Sequence, residues 1–242
     1  MRVLIEKNYK EMSRKAALLV ASQLNLKPNS VLGLATGSTP LGMYKELIMM
    51  HQHHELDFSE AITFNLDEYY RLPKDNKKSY YYYMMKNFFK YININPDNIN
   101  FLNACAKDIL KECNDYEIKI KRAGGIDLQI LGIGPNGHIG FNEPGKTLDI
   151  ETHLVYLSEE TIKANSRFFN SIDAVPHQAI SVGIATIMKA RRIILLANGK
   201  NKAEAIKETI SGRIDTKIPA SILQTHPEVT IIIDEEAARL IK

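Results

Sequence analysis

VLGLATGSTPLGMYKEL, residues Val31–Leu47, contains the pattern that decides the fold class of this chain. It starts with a short apolar run, which is typical of a buried strand. Small residues follow at Thr36–Thr39, and apolar residues then recur at helical spacing after Pro40. Proline suits the first position of a helix, and Ser38 or Thr39 could cap that helix. A strand, a short turn and a helix form the repeating unit of a parallel sheet.

The same alternation extends along the rest of the chain. Strands are predicted at Val3–Ile5, Val31–Ala35, Ala61–Leu66, Leu128–Gly132, Ala179–Gly183, Arg192–Ala197 and Val229–Asp234. Helices are predicted at Lys10–Leu24, Pro40–Met50, Tyr80–Tyr91, Asp108–Ala123, Glu159–Phe169, Ile184–Ala190, Lys202–Ile210 and Glu235–Ile241. This order predicts an α/β fold with an open, mostly parallel, doubly wound sheet and helices on both faces. Because no break in composition separates the halves, we expect residues 1–242 to form one domain.

The charge and composition of the chain limit the classes of ligand and partner that it is expected to bind. The net charge is +3 and the lysines are scattered, which argues against a nucleic-acid surface and suits a small anionic ligand. The two cysteines, Cys105 and Cys113, do not form a metal-like C-x-x-C pair, and we expect a reduced, cytoplasmic protein. The N-terminus has no apolar signal core and no run approaches 18 apolar residues, so no membrane association is expected.

Ligands of open parallel sheets bind beyond the carboxyl ends of the strands, so the loops after the strands carry the candidate site residues. In the first loop, Gly37–Thr39 would present free N–H groups at a helix N-terminus, which favours a phosphate. No lysine follows the glycine, so the loop differs from a Walker A loop. An ordinary capped turn is the alternative.

In the second loop, Asp67 and Glu68 end a predicted strand within FNLDEYY. Burial among the neighbouring apolar side chains would raise the pKa of a carboxyl group there and allow it to act as a base. A solvated surface acid or a helix cap remains the alternative at this position.

The third loop, GIGPNGHIGFNEPG, contains a formal G-x-G-x-x-G from Gly132 to Gly137. Pro144 prevents the long helix that a dinucleotide-binding loop must begin, so that interpretation is not favoured. Tight turns could instead bring Asn136, His138 and Glu143 together as a general acid/base near neutral pH. A structural histidine is the alternative, and no second histidine lies at metal-ligand spacing.

SYYYYMM, residues Ser79–Met85, carries tyrosines at helical spacing. We interpret them as core packing, because a platform for stacked bases would also need a basic groove.

Together, ATGSTP, FNLDEYY, LGIGPNGHIGFNEPG, ANSRFF and HPEVTIIID resemble glucosamine-6-phosphate deaminases over essentially the whole chain. The resemblance implies a sugar-phosphate site with a small helical lid at about residues 157–180. The residues that it implies for substrate binding are Thr36, Gly37, Ser38, Thr39, Gly132, Arg167 and Lys202. His138 would open the sugar ring, Glu143 would orient His138, and Asp67 would move a proton from C2 to C1. No metal or organic cofactor is implied.

The sequence departs from the resemblance at Asn136, where many members of the family carry aspartate. An amide can orient His138 but cannot supply charge, so Glu143 would carry the charge of the pair. Activated, hexameric members have an additional C-terminal segment and use positions that are here His153, Val155 and Tyr156. We therefore expect a monomer or small homo-oligomer without that activation. The alternatives are a 6-phosphogluconolactonase-type hydrolase and a non-catalytic sugar-phosphate sensor, although a sensor would be expected to carry a further DNA-binding segment.

Overall fold

A computed structural model describes residues 1–241 of the chain, in which strands and helices alternate. The strands are β1 (Arg2–Glu6), β2 (Val31–Leu34), β3 (Ile62–Asn65), β4 (Asp67–Tyr69), β5 (Ile99–Asn100), β6 (Leu128–Gly132), β7 (His153–Tyr156), β8 (Gln178–Ser181), β9 (Arg192–Ala197) and β10 (Val229–Asp234). The α-helices are α1 (Tyr9–Leu26), α2 (Leu41–Gln52), α3 (Tyr80–Asn87), α4 (Ile109–Arg122), α5 (Glu159–Asn165), α6 (Ile184–Met188) and α7 (Ala203–Thr209). Within residues 1–241, none of these helices is long and apolar enough to cross a membrane.

Seven strands form one sheet in the order β1-β10-β9-β6-β2-β3-β5, and every neighbouring pair is parallel. Helices α1, α2 and α3 pack on one face, and α4, α6 and α7 pack on the other. In β6, the adjacent residues Ile130 and Leu131 are fully buried and belong to the two opposite cores. Burial on both faces explains the nearly continuous apolar strands. The predicted doubly wound α/β fold is confirmed.

The order of the strands places a crevice at one point of the sheet. From β2 the chain runs outward through β3 and β5, then returns to β6 on the opposite side of β2. The connections after β2 and β6 therefore diverge at their carboxyl ends. In an open parallel sheet, such a switch point is where a ligand binds.

A second, antiparallel sheet was missed by the sequence analysis. It has the order β4-β8-β7 and lies beyond the end of β3. Asp67 and Glu68 belong to β4 instead of a loop, and the strand predicted at Ala179–Gly183 belongs to this sheet as β8. The two missed strands, β4 (DEY) and β7 (HLVY), are short and lack the continuous apolar run that identified the other strands, so the sequence could not separate them from loops.

Three predicted helices differ in the structure. Glu235–Leu240 forms turns instead of a helix, and Asp234 just before them accepts hydrogen bonds from the N–H groups of Gly199 and Ala237. The helix predicted at Tyr80–Tyr91 ends at Asn87 and is followed by a 3₁₀ turn. The helix predicted at Glu159–Phe169 likewise ends at Asn165 before a 3₁₀ turn. Helix ends are set by local capping contacts, which periodicity does not reveal.

Asp127 fixes the start of the two central strands. Its Oδ2 atom accepts hydrogen bonds from Val31 N at 2.8 Å and from Lys27 Nζ at 2.7 Å. Its own N–H donates to Val31 O, and its side chain is only 4% exposed. The side chain and the backbone of Asp127 therefore align β2 with β6, and the crevice lies at the other end of these two strands.

We predict that Asp127→Asn lowers the free energy of unfolding by about 2–4 kcal/mol, because it leaves Lys27 without a buried counter-charge. The measurement is urea denaturation at neutral pH. Asp115→Asn is the matched control, because it breaks an exposed i,i+4 ion pair with Lys111 and should cost less than about 1 kcal/mol. Equal losses in the two variants would contradict the role assigned to Asp127.

Candidate functional site

A cavity of about 520 Å³ lies at the carboxyl ends of the central strands. Most of the sequence-predicted site residues line it: Thr36, Gly37, Ser38, Thr39, Asp67, Gly132, His138, Arg167 and Lys202. Asn136 and Glu143 do not line the cavity and instead contact His138 from behind. The structure thus brings together five segments of the chain that are up to 166 residues apart in sequence, from Thr36 to Lys202.

One end of the cavity is built to hold an anion. Gly37 has φ of +101°, in the left-handed region that other residues rarely adopt. This turn leaves the N–H groups of Gly37, Ser38 and Thr39 without a partner among residues 1–241. The predicted cap of α2 by Ser38 or Thr39 is wrong, since neither side chain caps the helix and Thr39 Oγ1 donates to Asn198 Oδ1 at 2.9 Å. Free N–H groups at a helix start suit phosphate.

Tyrosine hydroxyls hold the carbonyl groups of this loop. Tyr44 Oη donates to Ala35 O at 2.6 Å, and Tyr83 Oη donates to Gly37 O at 2.6 Å. Tyr9 Oη donates to Ser38 O at 2.9 Å. The three tyrosines come from α2, α3 and α1, so three helices fix the orientation of the peptide groups that form the cradle.

Two cations face this cradle. Arg167 Nη2 donates to Ser38 Oγ at 3.4 Å, and Lys202 lines the cavity. Burial, with the repulsion of the Arg167 guanidinium, lowers the pKa of Lys202 to about 8. An anion placed between them would restore the charge of Lys202.

The opposite part of the cavity contains a buried carboxyl group. Asp67 is 8% exposed, and burial together with the neighbouring Glu68 raises its pKa to about 8. Glu68 has a different role, because its carboxylate accepts N–H groups of Tyr69, Tyr80 and Tyr81 and so anchors the start of α3. Burial raises the pKa of Glu68 to about 7, against those hydrogen bonds. Asp67 therefore faces the cavity, whereas the Glu68 carboxylate is used in hydrogen bonds to the backbone.

Ser181 joins the His138 loop to the strand of Asp67. Ser181 is the register partner of Asp67 in the small sheet, and its Oγ accepts Phe141 N at 3.0 Å. Asn142 Nδ2 donates to Ile139 O and to Val182 O, both at 2.9 Å. The loop is thereby held on the same small sheet as Asp67, which fixes His138 and Asp67 around one cavity.

His138 and Glu143 form the predicted pair. His138 Nδ1 lies 3.6 Å from Glu143 Oε2, and the ring lies so close to Gly134 that a Cβ there would be 2.3 Å from it. Asn136 Nδ2 donates to Glu143 Oε2 at 3.0 Å, while Asn136 Oδ1 accepts His138 N. Burial raises the pKa of Glu143, but hydrogen bonds and the charge of His138 outweigh it, and the net shift is downward. Glu143 is thus held as a carboxylate beside the imidazole.

Several lining residues were not predicted. Tyr80 and Tyr83 line the cavity, although the sequence analysis assigned this tyrosine run to core packing. Lys77 and Lys78 also lie on its wall. Tyr80 and Tyr83 are three residues apart on one face of α3, and only the docking of α3 decides whether that face meets core or cavity. Within residues 1–241, no group of three or more His, Cys, Asp or Glu side chains is arranged to hold a metal ion.

Comparison with known proteins assigns the chain to a family. The family model described as glucosamine-6-phosphate isomerases/6-phosphogluconolactonase matches residues 6–232. The chain belongs to the glucosamine-6-phosphate isomerase/6-phosphogluconolactonase family. Within this family it is 69% identical over 241 residues to a glucosamine-6-phosphate deaminase of Halothermothrix orenii, and the alignment covers 100% of both chains. It is 61% identical to a glucosamine-6-phosphate deaminase of Alkaliphilus metalliredigens, again covering 100% of both chains.

Solved structures of the family agree. A monomeric glucosamine-6-phosphate deaminase superimposes with a TM-score of 0.97 at 47% identity, covering 99% of this chain and 100% of the other. The 6-phosphogluconolactonase of Trypanosoma brucei superimposes with a TM-score of 0.79 at 19% identity, covering 100% of this chain and 98% of the other. The second likeness shows that the two proteins share the fold.

We predict that Tyr83→Phe weakens the binding of inorganic phosphate roughly three- to tenfold, because the carbonyl of Gly37 loses the donor that holds it. Isothermal titration calorimetry at pH 7.5 measures the dissociation constant. Tyr82→Phe is the control on the same helix, since no hydrogen bond joins the Tyr82 hydroxyl to residues 1–241. Unchanged phosphate affinity in Tyr83→Phe would contradict this role for the tyrosine.

The lowered pKa of Lys202 predicts that phosphate affinity depends on pH. The ammonium form is present below about pH 8 and is lost as the pH rises through that value. The dissociation constant of inorganic phosphate should therefore rise on the order of tenfold between pH 8 and pH 9.5. In Lys202→Arg the charge persists over this range, and the dependence should disappear. A wild-type constant that is flat over this range would show that Lys202 does not titrate there.

Proposed function

We propose that this chain converts glucosamine 6-phosphate and water to fructose 6-phosphate and ammonium. Its full-length relatives at 61–69% identity carry the name glucosamine-6-phosphate deaminase. The arrangement of the cavity supports the same reaction, because an anion cradle, an imidazole and a buried carboxyl group face one space.

The observation that carries the proposal is the position of Asp67. A carboxyl group with a pKa of about 8 is mostly protonated at neutral pH, and its ionised fraction is a stronger base than an exposed aspartate. It lies in the same cavity as the phosphate cradle, which would hold the far end of the sugar. Moving a proton between two adjacent carbon atoms requires such a base at a fixed position.

The first step is opening of the sugar ring. With the 6-phosphate on the N–H groups of Gly37–Thr39 and between Arg167 and Lys202, the C1 end of the sugar extends toward His138. The imidazole takes the proton of the C1 hydroxyl and returns a proton to the ring oxygen, which gives the open-chain aldehyde. Glu143 stabilises the positive charge that His138 carries between these transfers.

The second step moves one proton from C2 to C1. The aldehyde acidifies the C2 hydrogen, so the Asp67 carboxylate removes it while the ammonium group of the substrate passes a proton to O1, and the electron pair forms an enol that carries a neutral amino group. Asp67 then returns the proton to C1, and the double bond moves to C2–N as an iminium group. Because the substrate carbonyl and the amino group hold the electrons, the step is balanced without a metal or an organic cofactor.

The third step releases the amine. Water adds to C2 of the iminium group, and the resulting carbinolamine loses ammonia to form the ketone of fructose 6-phosphate. The C–N bond breaks with its electron pair on nitrogen, which leaves as ammonium. The total is one water consumed and one ammonium released.

A 6-phosphogluconolactonase-type reaction is the second candidate. It would use the same cradle and His138 to direct water to a lactone carbonyl, but it does not transfer a proton between carbon atoms. A buried Asp67 facing the substrate has no evident purpose in that reaction. The structure therefore favours the deaminase.

The oligomeric state and compartment follow as part of this proposal. The structural relative with a TM-score of 0.97 is described as monomeric, and we infer a monomer or small homo-oligomer here. Cys105 and Cys113 are both free thiols, which suits the reducing cytoplasm.

The test is ammonia release from glucosamine 6-phosphate, measured in parallel with hydrolysis of 6-phosphogluconolactone. We expect ammonia from the first substrate and no hydrolysis above background of the second. Asp67→Asn should lose at least about 10³-fold in kcat, because the base is removed. It should also lose exchange of the C2 hydrogen with deuterium oxide while still binding inorganic phosphate. Folded wild-type protein that releases no ammonia would falsify the proposal.

A further inference from the structure

The start of the lid helix touches the His138–Glu143 pair. Ser158 is the residue before α5, and Thr161 lies in the first turn of that helix. Thr161 Oγ1 is 3.3 Å from His138 Nδ1, and Ser158 Oγ is 3.2 Å from Thr161 Oγ1. Ser158 Oγ also donates to Glu143 Oε2 at 3.0 Å. The two hydroxyls therefore lie in a row between the imidazole and the carboxylate.

The direct contact in the pair is too long to be a hydrogen bond. The separation of 3.6 Å between His138 Nδ1 and Glu143 Oε2 exceeds the usual range for an N–H···O bond. Both residues are largely buried, with side chains 17% and 9% exposed. Because the path through Ser158 and Thr161 has shorter steps, it is the better connection between imidazole and carboxylate.

We propose that Thr161 and Ser158 form a hydroxyl relay that positions His138 for ring opening. Each hydroxyl has one hydrogen and can also accept. Ser158 Oγ can donate its one hydrogen to Thr161 Oγ1 at 3.2 Å or to Glu143 Oε2 at 3.0 Å. The shorter contact, to the carboxylate, takes that hydrogen in the relay, and the Thr161 hydroxyl, which accepts His138 Nδ1–H, then donates to Ser158, so that every hydrogen is used once and the row ends on the carboxylate. This inference rests on the proposed deaminase function.

The relay fixes the tautomer of His138. With its hydrogen on Nδ1, the imidazole leaves Nε2 as the acceptor, and Nε2 makes no hydrogen bond within residues 1–241. His138 lines the cavity, so a free Nε2 can take the proton of the sugar hydroxyl. When it does, the charge of the imidazolium is stabilised by Glu143 through two oriented hydroxyls. Asn136 cannot supply that charge, which leaves this connection to Glu143 as the source.

The relay also belongs to the segment that forms one wall of the cavity. Ser158 Oγ accepts Thr161 N at 3.2 Å, so the two hydroxyls are aligned only while the first turn of α5 is formed. Arg167, which faces the anion cradle, lies in the 3₁₀ turn that directly follows α5. Thr161 is 2% exposed, so bulk water does not reach its hydroxyl group in this conformation. One segment thus holds both the phosphate and the imidazole.

Two substitutions of Thr161 test the proposal. Thr161→Val keeps the shape of the side chain but removes the hydroxyl, whereas Thr161→Ser keeps the hydroxyl and removes a methyl group. We expect kcat for ammonia release to fall roughly three- to tenfold in Thr161→Val and to stay within about twofold of wild type in Thr161→Ser. The dissociation constant of inorganic phosphate should be unchanged in both variants. Ser166→Ala, which removes a hydroxyl bonded only to Lys163 O, controls for general effects on the lid.

Nitrogen NMR gives a second measurement that does not depend on turnover. In protein labelled with ¹⁵N-histidine, His138 is assigned by the signal that disappears in His138→Gln. We expect the Nδ1–H tautomer in wild type and in Thr161→Ser, and a mixture of tautomers in Thr161→Val.

The outcomes separate the possible roles. A defect in Thr161→Ser with a normal Thr161→Val would show that Thr161 acts by packing and would overturn the relay. Normal kcat and an unchanged tautomer in Thr161→Val would also overturn it. Wild-type protein that releases no ammonia contradicts the proposed function instead, and the tautomer measurement then still decides whether the relay exists.

Discussion

The pairing of Asp67 with Ser181 is the contact on which the arrangement of the site depends. It brings the end of β3, through β4, against β8, and the Ser181 hydroxyl simultaneously holds the backbone of Phe141. The parallel sheet alone would place these loops at one edge but would not fix their separation. A small antiparallel sheet added to that edge converts neighbouring loops into a defined geometry.

This geometry keeps charged groups in a partly dry space at a cost in stability. Burial shifts the pKa of Asp67 upward and that of Lys202 downward, each toward about 8. Both shifts mean that burial disfavours the charged forms of these side chains. A ligand with a phosphate at one end and a polar sugar at the other would reverse the penalty at Lys202. The burial that costs stability at Lys202 would therefore strengthen its interaction with such a ligand.

The direction of the hydrogen bonds around the cavity is as important for ligand binding as its charge. The carbonyl groups of Ala35, Gly37 and Ser38 are each held by a tyrosine, while neighbouring N–H groups stay free for an anion. Around His138, amide and hydroxyl groups surround Glu143 and leave the outer nitrogen of the imidazole available. In both places, the surrounding hydrogen bonds determine which atoms of the loop face the cavity. At the anion cradle these bonds come from three different helices.

The sequence by itself determined the α/β class, the central strands and the loops that carry the main polar groups of the cavity, because buried strands and glycine-rich turns have local patterns. Gly37–Thr39, Asp67 and His138 could be identified since the loops after parallel strands meet at one edge. The sequence did not give the small sheet, the end of the chain after β10, or the roles of Glu68 and Tyr83. Those features depend on contacts between segments: Glu68 meets the N–H groups of Tyr80 and Tyr81, and Tyr83 meets Gly37. Only the tertiary structure could decide them, because a short polar strand or a tyrosine on a helix has the same local pattern whether it faces core, solvent or a cavity.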